Sequence, residues 1–402
     1  MSRAESKDSS LVLLSPKAVG DINRAKVITS LYDHGPQSRA DLARLMNSTR
    51  STISTIVQPL ITAKIIEELP VSSGKGTKST TGKPAIPLWF SGKAPNLIGI
   101  HIVPQGIIIV QTSLTGTIIK KVEFDLTKVD NPRKETIRIL QVELPKFVKG
   151  IPKVLGIGVS VGGTVNTKSG TINNVARAPF LNGLAIKSLI SKKLDLEIFV
   201  NHHPRAQAMG DRWFGSGRSR SDFISIIISD AIGIGIYLNG VLHSGKNGTG
   251  GEYGHTQFLT TKNAPLCNCG MRGCFESYAS FDKFKSNLDR LGIARSNNEI
   301  PFLIEKSKNY PDLLKALKEY AEIIGTGIAN LENTLAVGLF LVHGEVTSLG
   351  EEFLEMISKA ADKYLIEKTD KGLEIEFVKG PDHFAVLGAA SLVLAIKLQF
   401  PL

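Results

Sequence analysis

Four side chains stand out by type and spacing: His255, then Cys267, Cys269 and Cys274 in the run Cys-Asn-Cys-Gly-Met-Arg-Gly-Cys. One imidazole and three thiolates form a complete tetrahedral donor set for zinc, with no coordination position left for a substrate. The chain has three cysteines in all. An odd, tightly clustered set suits a metal in a reducing compartment better than a disulfide framework. Gly270 and Gly273 let the backbone turn sharply enough for Cys269 and Cys274 to reach one ion. The expectation is a structural zinc on His255, Cys267, Cys269 and Cys274. The alternative is a set of buried free thiols.

A second group of residues suits a polyanion. The segment SRADLARLMNSTRSTISTIV, residues 38–57, reads as two short helices joined by a tight turn. Ser38 is a good N-cap for a helix over Arg39 to Met46, with Leu42, Ala43 and Leu45 facing inward. Asn47 and Ser48 make the turn, and a third helix runs from Thr49 to about Ala63. Its hydroxyls and its one arginine can reach phosphates or base edges in a major groove. The expected DNA contacts are Ser38, Arg39, Ser48, Thr49, Arg50, Ser51, Thr52, Ser54 and Thr55. Residues 72–84 hold no apolar side chain but Lys75, Lys78 and Lys83, which fits an exposed wing that meets backbone or minor groove. Pro59 should kink or end the third helix beyond the base-reading residues. The alternative is a helical packing domain with no DNA role.

The elements around these groups set the architecture. Residues 1–15 read as a flexible tail. A first helix fits Gly20 to His34 and stops at Gly35-Pro36. Short strands fit Ile65–Leu69 and Pro87–Phe90, which completes a winged helix-turn-helix over residues 16–92. Strands and helices then alternate over residues 93–402, an α/β pattern in which each half reads as one unit. Strands fit 97–103, 106–112, 118–124, 154–161, 223–229, 233–238, 339–342 and 373–378. Helices fit 133–149, 204–214, 275–290, 311–334 and 386–398.

Bulk properties agree. A chain of 402 residues exceeds one small core, so two or three domains are expected. The net charge is +11, and residues 1–93 hold 13 Lys+Arg against 7 Asp+Glu, an excess of 13 − 7 = +6. A basic N-terminal quarter suits DNA, although a solvated basic face has the same composition. No apolar run reaches the ~18 residues that span a bilayer, and the polar start has no apolar signal-peptide core. A cytoplasmic protein that does not engage membranes is expected.

The motif pair Gly250-Gly-Glu-Tyr-Gly-His255 and Cys267-Asn-Cys-Gly-Met-Arg-Gly-Cys-Phe-Glu276 resembles the signature of the ROK family of repressors and sugar kinases. The order helix-turn-helix, wing ending in Gly-Lys-Pro, then α/β domain is similar to its repressor branch. The resemblance implies an actin-like, sugar-kinase-like ATPase fold with two lobes, here about 93–200 with 386–402, and 201–385. It implies a zinc on the His and three Cys, and sugar contacts from Glu252, His255 and Glu276. It also implies a homodimer or homotetramer on a palindromic operator of double-stranded DNA, with a sugar or sugar derivative as effector.

The kinase positions depart from the family. His101 stands where a phosphate loop carries Asp, and Asn201-His202-His203-Pro204 replaces Glu-Asn-Asp-Ala, so His203 takes the place of the catalytic base. Ser229-Asp-Ala-Ile-Gly-Ile-Gly-Ile236 has Ala231-Ile232 in place of Gly-Thr. Phe180 takes the place of a hydroxyl-binding Asn. Losing two acidic positions argues against phosphoryl transfer. His202 and His203 remain as candidate effector contacts. The expectation is a non-enzymatic repressor of carbohydrate-related genes. The alternatives are a sugar kinase with an accessory DNA-binding domain, and a regulator that answers to no sugar.

Overall fold

The computed structural model describes residues 16–70, 85–248, 250–293, 300–367, 372–378 and 383–397. The chain divides at Ala94/Pro95 into two compact units, taken in turn below.

The first unit opens with α1 (Pro16–His34), four residues earlier than its periodicity predicts; proline is well placed in a first turn because it has no N–H to leave unbonded. β1 (Gln37–Ser38), α2 (Arg39–Leu45), α3 (Arg50–Thr62), β2 (Ile66–Glu68) and β3 (Pro87–Phe90) follow. Val27, Ile28, Leu31 and Tyr32 of α1 are buried with Leu42, Ile53, Val57, Leu60, Ile66 and Leu88, and the Tyr32 and Phe90 rings stand 4.5 Å apart. The strands pair antiparallel in the order β1-β3-β2. Three helices and this small sheet make the expected winged helix-turn-helix. Lys75, Lys78 and Lys83 lie outside the described residues.

One local expectation changes. Leu45 does not face inward: it is 52% exposed, because the two-turn α2 centres its buried face on Leu42 and Ala43. The third helix has close to its expected bounds, and Pro59 lies inside it, with the helix running on to Thr62.

The second unit begins with the meander β4 (Asn96–Val103), β5 (Gly106–Thr112) and β6 (Ile118–Asp125). α4 (Pro132–Arg138) passes through a π turn at Ile139–Glu143 into α5 (Leu144–Val148). β7 (Val154–Val161), β8 (Thr164–Asn166), β9 (Thr171–Asn174), α6 (Ile186–Ser191), β10 (Ile198–His202) and α7 (His203–Phe214) complete the first half. The second half has β11 (Phe223–Ile228), β12 (Ile232–Leu238), β13 (Val241–Leu242), α8 (Glu276–Ala279), α9 (Phe281–Arg290), α10 (Leu303–Ser307), α11 (Pro311–Leu335), β14 (Leu339–His343), α12 (Glu351–Asp362), β15 (Glu374–Phe377) and α13 (His383–Lys397). The helix expected over 275–290 is two, divided at Ser280, whose hydroxyl caps α9.

The two main sheets repeat one topology. Their orders are β10-β7-β4-β5-β6 and β13-β12-β11-β14-β15. In each, an antiparallel meander of three strands receives two further strands, parallel to its first, on the other side. This is a duplicated α/β architecture with a separate core under each sheet, one built around Ile98, Ile100, Val159 and Ile190, the other around Ile224, Phe284, Leu317 and Phe353. Helices α7 and α13 cross at Gly388, where a Cβ would lie 1.6 Å from the carbonyl oxygen of Ala206. Only glycine permits that approach, and it fixes α7, the helix that opens with His203.

Candidate metal centre and ligand site

The donor atoms of His255, Cys267, Cys269 and Cys274 all lie within 4.8 Å of one another. The Cys269 and Cys274 sulfurs are 3.7 Å apart, and Cys267 Sγ is 3.6 Å from His255 Nδ1. A tetrahedral zinc with bonds of ~2.3 Å to sulfur and ~2.05 Å to nitrogen requires S···S and S···N edges of about 3.8 and 3.6 Å. The four residues therefore fit the ion. Gly270 and Gly273 take positive φ angles of 90° and 79°, as the turn between the sulfurs demands. Burial pushes the Cys267 thiol up to about 12 and also raises Cys274, so a metal must displace protons to bind. Because Nδ1 of His255 faces the sulfurs, Nε2 is the ring atom left for any ligand.

Residues expected to contact a ligand lie beside this cluster. Glu252 precedes the short turn Tyr253–His255, and its Oε1 is 3.9 Å from His202 Nδ1. Burial raises the Glu252 carboxyl, and the nearby His255 and Arg205 partly offset it. Glu276 is buried, accepts the Ile232 N–H at 3.0 Å and lies 3.6 Å from Cys267 Sγ. It braces the cysteine loop against β12. Gly233 stands by α7, where a Cβ would lie 2.3 Å from Pro204 Cγ, so helix packing alone requires glycine there.

His203, the first residue of α7, stands 4.5 Å from the ring of His101 on β4, edge to face. His101 Nδ1 in turn bonds Ser160 Oγ at 3.1 Å. Burial pushes His202 down to about 3, and burial with the neighbouring histidines holds His203 well below the usual range. Both rings are neutral near pH 7. Phe180 is half-buried, and its carbonyl accepts from Arg133.

Sequence reasoning missed Arg205. Its side chain is 1% exposed. Nε donates to Asn201 Oδ1 at 2.8 Å, and Nη1 donates to the carbonyls of Gly248 and Gly250 at 2.8 and 3.2 Å. The available signal was its position four residues after Asn201, one helical turn on. His343 was missed too: it bonds Asp211 at 2.8 Å in a buried network with Gln207 and Ser225.

On the N-terminal unit, Thr49, Arg50, Ser51, Thr52 and Thr55 are exposed and Ser54 and Ser48 partly so. Thr49 caps α3 by accepting from the Thr52 N–H, and Ser54 and Thr55 donate to helix carbonyls. Arg50 forms no ion pair with the described residues. Ser38 is buried and committed to a capping box with Asp41, which corrects its expected place among DNA contacts: a side chain closed off by its own helix cannot reach a groove. Arg39 pairs with Glu68 at 2.6 Å.

No described helix is long and apolar enough to cross a membrane. A xylose repressor of Caldicellulosiruptor bescii is 28% identical over 94% of this chain and 97% of its own length. A glucokinase of Thermotoga maritima is 22% identical over 74% of this chain and 96% of its own. The crystal structure of a ROK family transcriptional regulator, a homologue of the E. coli MLC protein, superposes with a TM-score of 0.76 at 21% identity, over 94% of this chain and 97% of its own. That likeness establishes the fold, whose ROK part is shared with a ROK hexokinase from Thermus thermophilus. Residues 98–396, well over half of the sequence, match the ROK family, and the chain belongs to that family.

Proposed function

We propose that this protein is a sequence-specific DNA-binding repressor of carbohydrate-related genes, whose ROK unit binds an effector and does not phosphorylate it. The observation that carries the reading is the extent of the two alignments: the repressor aligns over 94% of the chain and the glucokinase over 74%, so a full-length relative with a repressor's name accounts for the helix-turn-helix as well. The exposed Arg50 and the hydroxyls of Ser51, Thr52 and Thr55 supply donors and acceptors for base edges. Thr49, Ser54, Ser48 and Arg39, with Lys75, Lys78 and Lys83 of the wing segment, are assigned to backbone contacts that set the register. A homodimer or homotetramer reads a palindromic site, with recognition helices about 34 Å apart.

The charge of the site supports effector binding over catalysis. A general base works best with a pKa near the working pH, and His203 lies well below it. Asp230, in the segment aligned with a phosphate loop, presents a carboxylate held by Arg177 at 2.7 Å, and Ile232 adds bulk beside it. Glu252, His255, Glu276, His202 and His203 line the effector site. His255, Cys267, Cys269 and Cys274 hold a structural zinc that fixes the loop bearing His255 and Glu276. Effector and operator oppose one another through a coupling free energy.

The test is a sequenced genomic DNA pull-down at two salt concentrations, paired with an ADP-release assay on a hexose panel. Expected are a few fragments that persist at the higher salt and share a palindrome, with no turnover above background. Diffuse enrichment lost with salt would overturn the regulator; turnover abolished by His203→Ala would establish a kinase.

A further inference from the structure

The three cysteines differ in access and in what each sulfur faces. Cys269 is exposed, whereas Cys267 and Cys274 are buried. Cys269 Sγ contacts Cys274 Sγ at 3.7 Å. Cys267 Sγ is turned elsewhere, 3.6 Å from both His255 Nδ1 and Glu276 Oε1. An oxidant attacks a cysteine as its thiolate, and only where it can reach the sulfur. The set therefore offers one accessible sulfur with a second directly behind it, and a third engaged by an imidazole and a carboxylate.

The turn that brings this pair together is held by backbone bonds rather than by the sulfurs. Gly270 N–H donates to the Cys267 carbonyl at 2.9 Å, and Cys267 N–H donates to the Met271 carbonyl at 2.8 Å. Gly273 is pressed against the neighbouring segment, where a Cβ would lie 2.1 Å from the Leu259 carbonyl oxygen. Cys269 and Cys274 therefore stay face to face when their chemistry changes.

We propose that Cys269 and Cys274 are a modification site, which a peroxide oxidises to a disulfide with release of the metal. The inference goes beyond the regulator reading and rests only on the zinc set proposed with it. The Cys269 thiolate attacks one oxygen of hydrogen peroxide and breaks the O–O bond, leaving Cys269 sulfenic acid and a hydroxide. The Cys274 thiolate then attacks the sulfenic sulfur, the S–S bond forms and a second hydroxide leaves. Two thiolates have lost two electrons, and the peroxide has taken them. The thiolate is the form of cysteine that binds metal, so the disulfide withdraws two donors, and His255 with Cys267 cannot complete a tetrahedral site. The base of the loop survives, because Phe258 N–H still donates to the Gly273 carbonyl at 2.8 Å and Phe275 N–H to the Thr256 carbonyl at 2.9 Å. Oxidation thus frees His255, at the end of the short turn after Glu252, without unfolding the unit.

The experiment is stepwise addition of hydrogen peroxide to the full-length protein. Zinc release is followed with a chromogenic chelator, and the chain is then alkylated, cut with trypsin and sequenced by tandem mass spectrometry. Cleavage after Arg272 puts Cys267 and Cys269 in the peptide 263–272 and Cys274 in the peptide 273–283. A disulfide between Cys269 and Cys274 therefore links two peptides, whereas one between Cys267 and Cys269 leaves them separate. Expected are the linked pair, with fragmentation placing the bond at Cys269, and one zinc released for each link. Dithiothreitol with added zinc should reverse both. In Cys274→Ser, Cys269 has no resolving thiol and should be trapped by dimedone as the sulfenic acid, while Cys267→Ser should still form the link. If Cys274→Ser does not fold, the wild-type link decides alone. A bond through Cys267, Cys269 driven to sulfinic acid beside a free Cys274, thiols untouched by a large excess of peroxide, or a link formed with zinc still bound overturns the inference. A reduced protein that holds no zinc sinks the metal assignment instead, and the linked peptide still decides the disulfide.

Discussion

Cys269→Ser separates a metal clip from a chance cluster of thiols. Cys269 is the exposed member of the set, so its replacement removes one donor without opening a cavity in the core. The clip joins His255 to Cys274, about 20 residues apart, and closing a loop of that length withdraws roughly 3 kcal/mol of chain entropy from the unfolded state. The loss should register globally. Gln257 bridges Cys274 at the base of the loop, and Phe275, next in sequence, belongs to the core of the second sheet. The ROK unit spans about 300 residues, with an unfolding entropy of about 2.1 cal/mol/K per residue, so 3 kcal/mol lowers its melting temperature by about 5 °C. Metal analysis and scanning calorimetry are the assays. The expected pattern is one zinc per wild-type chain, loss of that zinc with a fall of about 5 °C in Cys269→Ser, a similar fall when wild type is chelated, and little further fall when the variant is. A variant with full zinc content and an unshifted transition would refute the four-ligand assignment.

Acid should destabilise the ligand site. His202 titrates near 3 when folded, and His203 also lies well below 6.5, whereas unfolded histidine takes up its proton near 6.5. The unfolded state therefore binds protons first as pH falls, so the stability present above pH 6.5 is lost progressively toward pH 3, by about 2 kcal/mol at pH 5 for His202, with His203 adding a loss in the same direction; denaturant titrations should show a shallower acid slope in His202→Gln, and an unchanged slope would contradict the buried neutral ring. Ser38→Ala removes the capping box of α2 and should cost about 1 kcal/mol, read as a lower melting temperature of the N-terminal unit, while the order of preference among operator variants stays the same. In Gly388→Ala the added Cβ meets backbone and no rotamer change relieves it, so it should cost at least about 1–3 kcal/mol and weaken effector binding by moving α7; wild-type stability would show that α13 can shift freely.

Legibility in the sequence followed the range of the interaction. The helix-turn-helix was readable because its signals are local: Ser38 and Thr49 cap the helices they precede, Asn47 takes the positive φ of the turn, and apolar residues repeat at helical spacing. The cluster of His255, Cys267, Cys269 and Cys274 was readable because its chemistry resides in rare side chains close together in the chain. Most strands fell within a residue or two of their expected bounds, since apolar runs between turn residues mark them directly. Where local signals misled, tertiary contact was the cause: Leu45 follows the helical period but has no core above it.

Assignments that needed distant partners waited for the tertiary structure. The repeated sheet order depends on pairings such as Ile98 with Ile157 and Ile224 with Phe340, which no spacing announces. Arg205 reads as an ordinary surface arginine on an amphipathic helix until the carbonyls of Gly248 and Gly250, over forty residues away, close over it. The pairing of His101 with His203 arises only when β4 and the start of α7 meet. The sequence by itself determined which groups could bind DNA and metal, because type and short spacing suffice for both. The fold alone decided which charges are buried, because burial is set by chain segments that meet only in three dimensions.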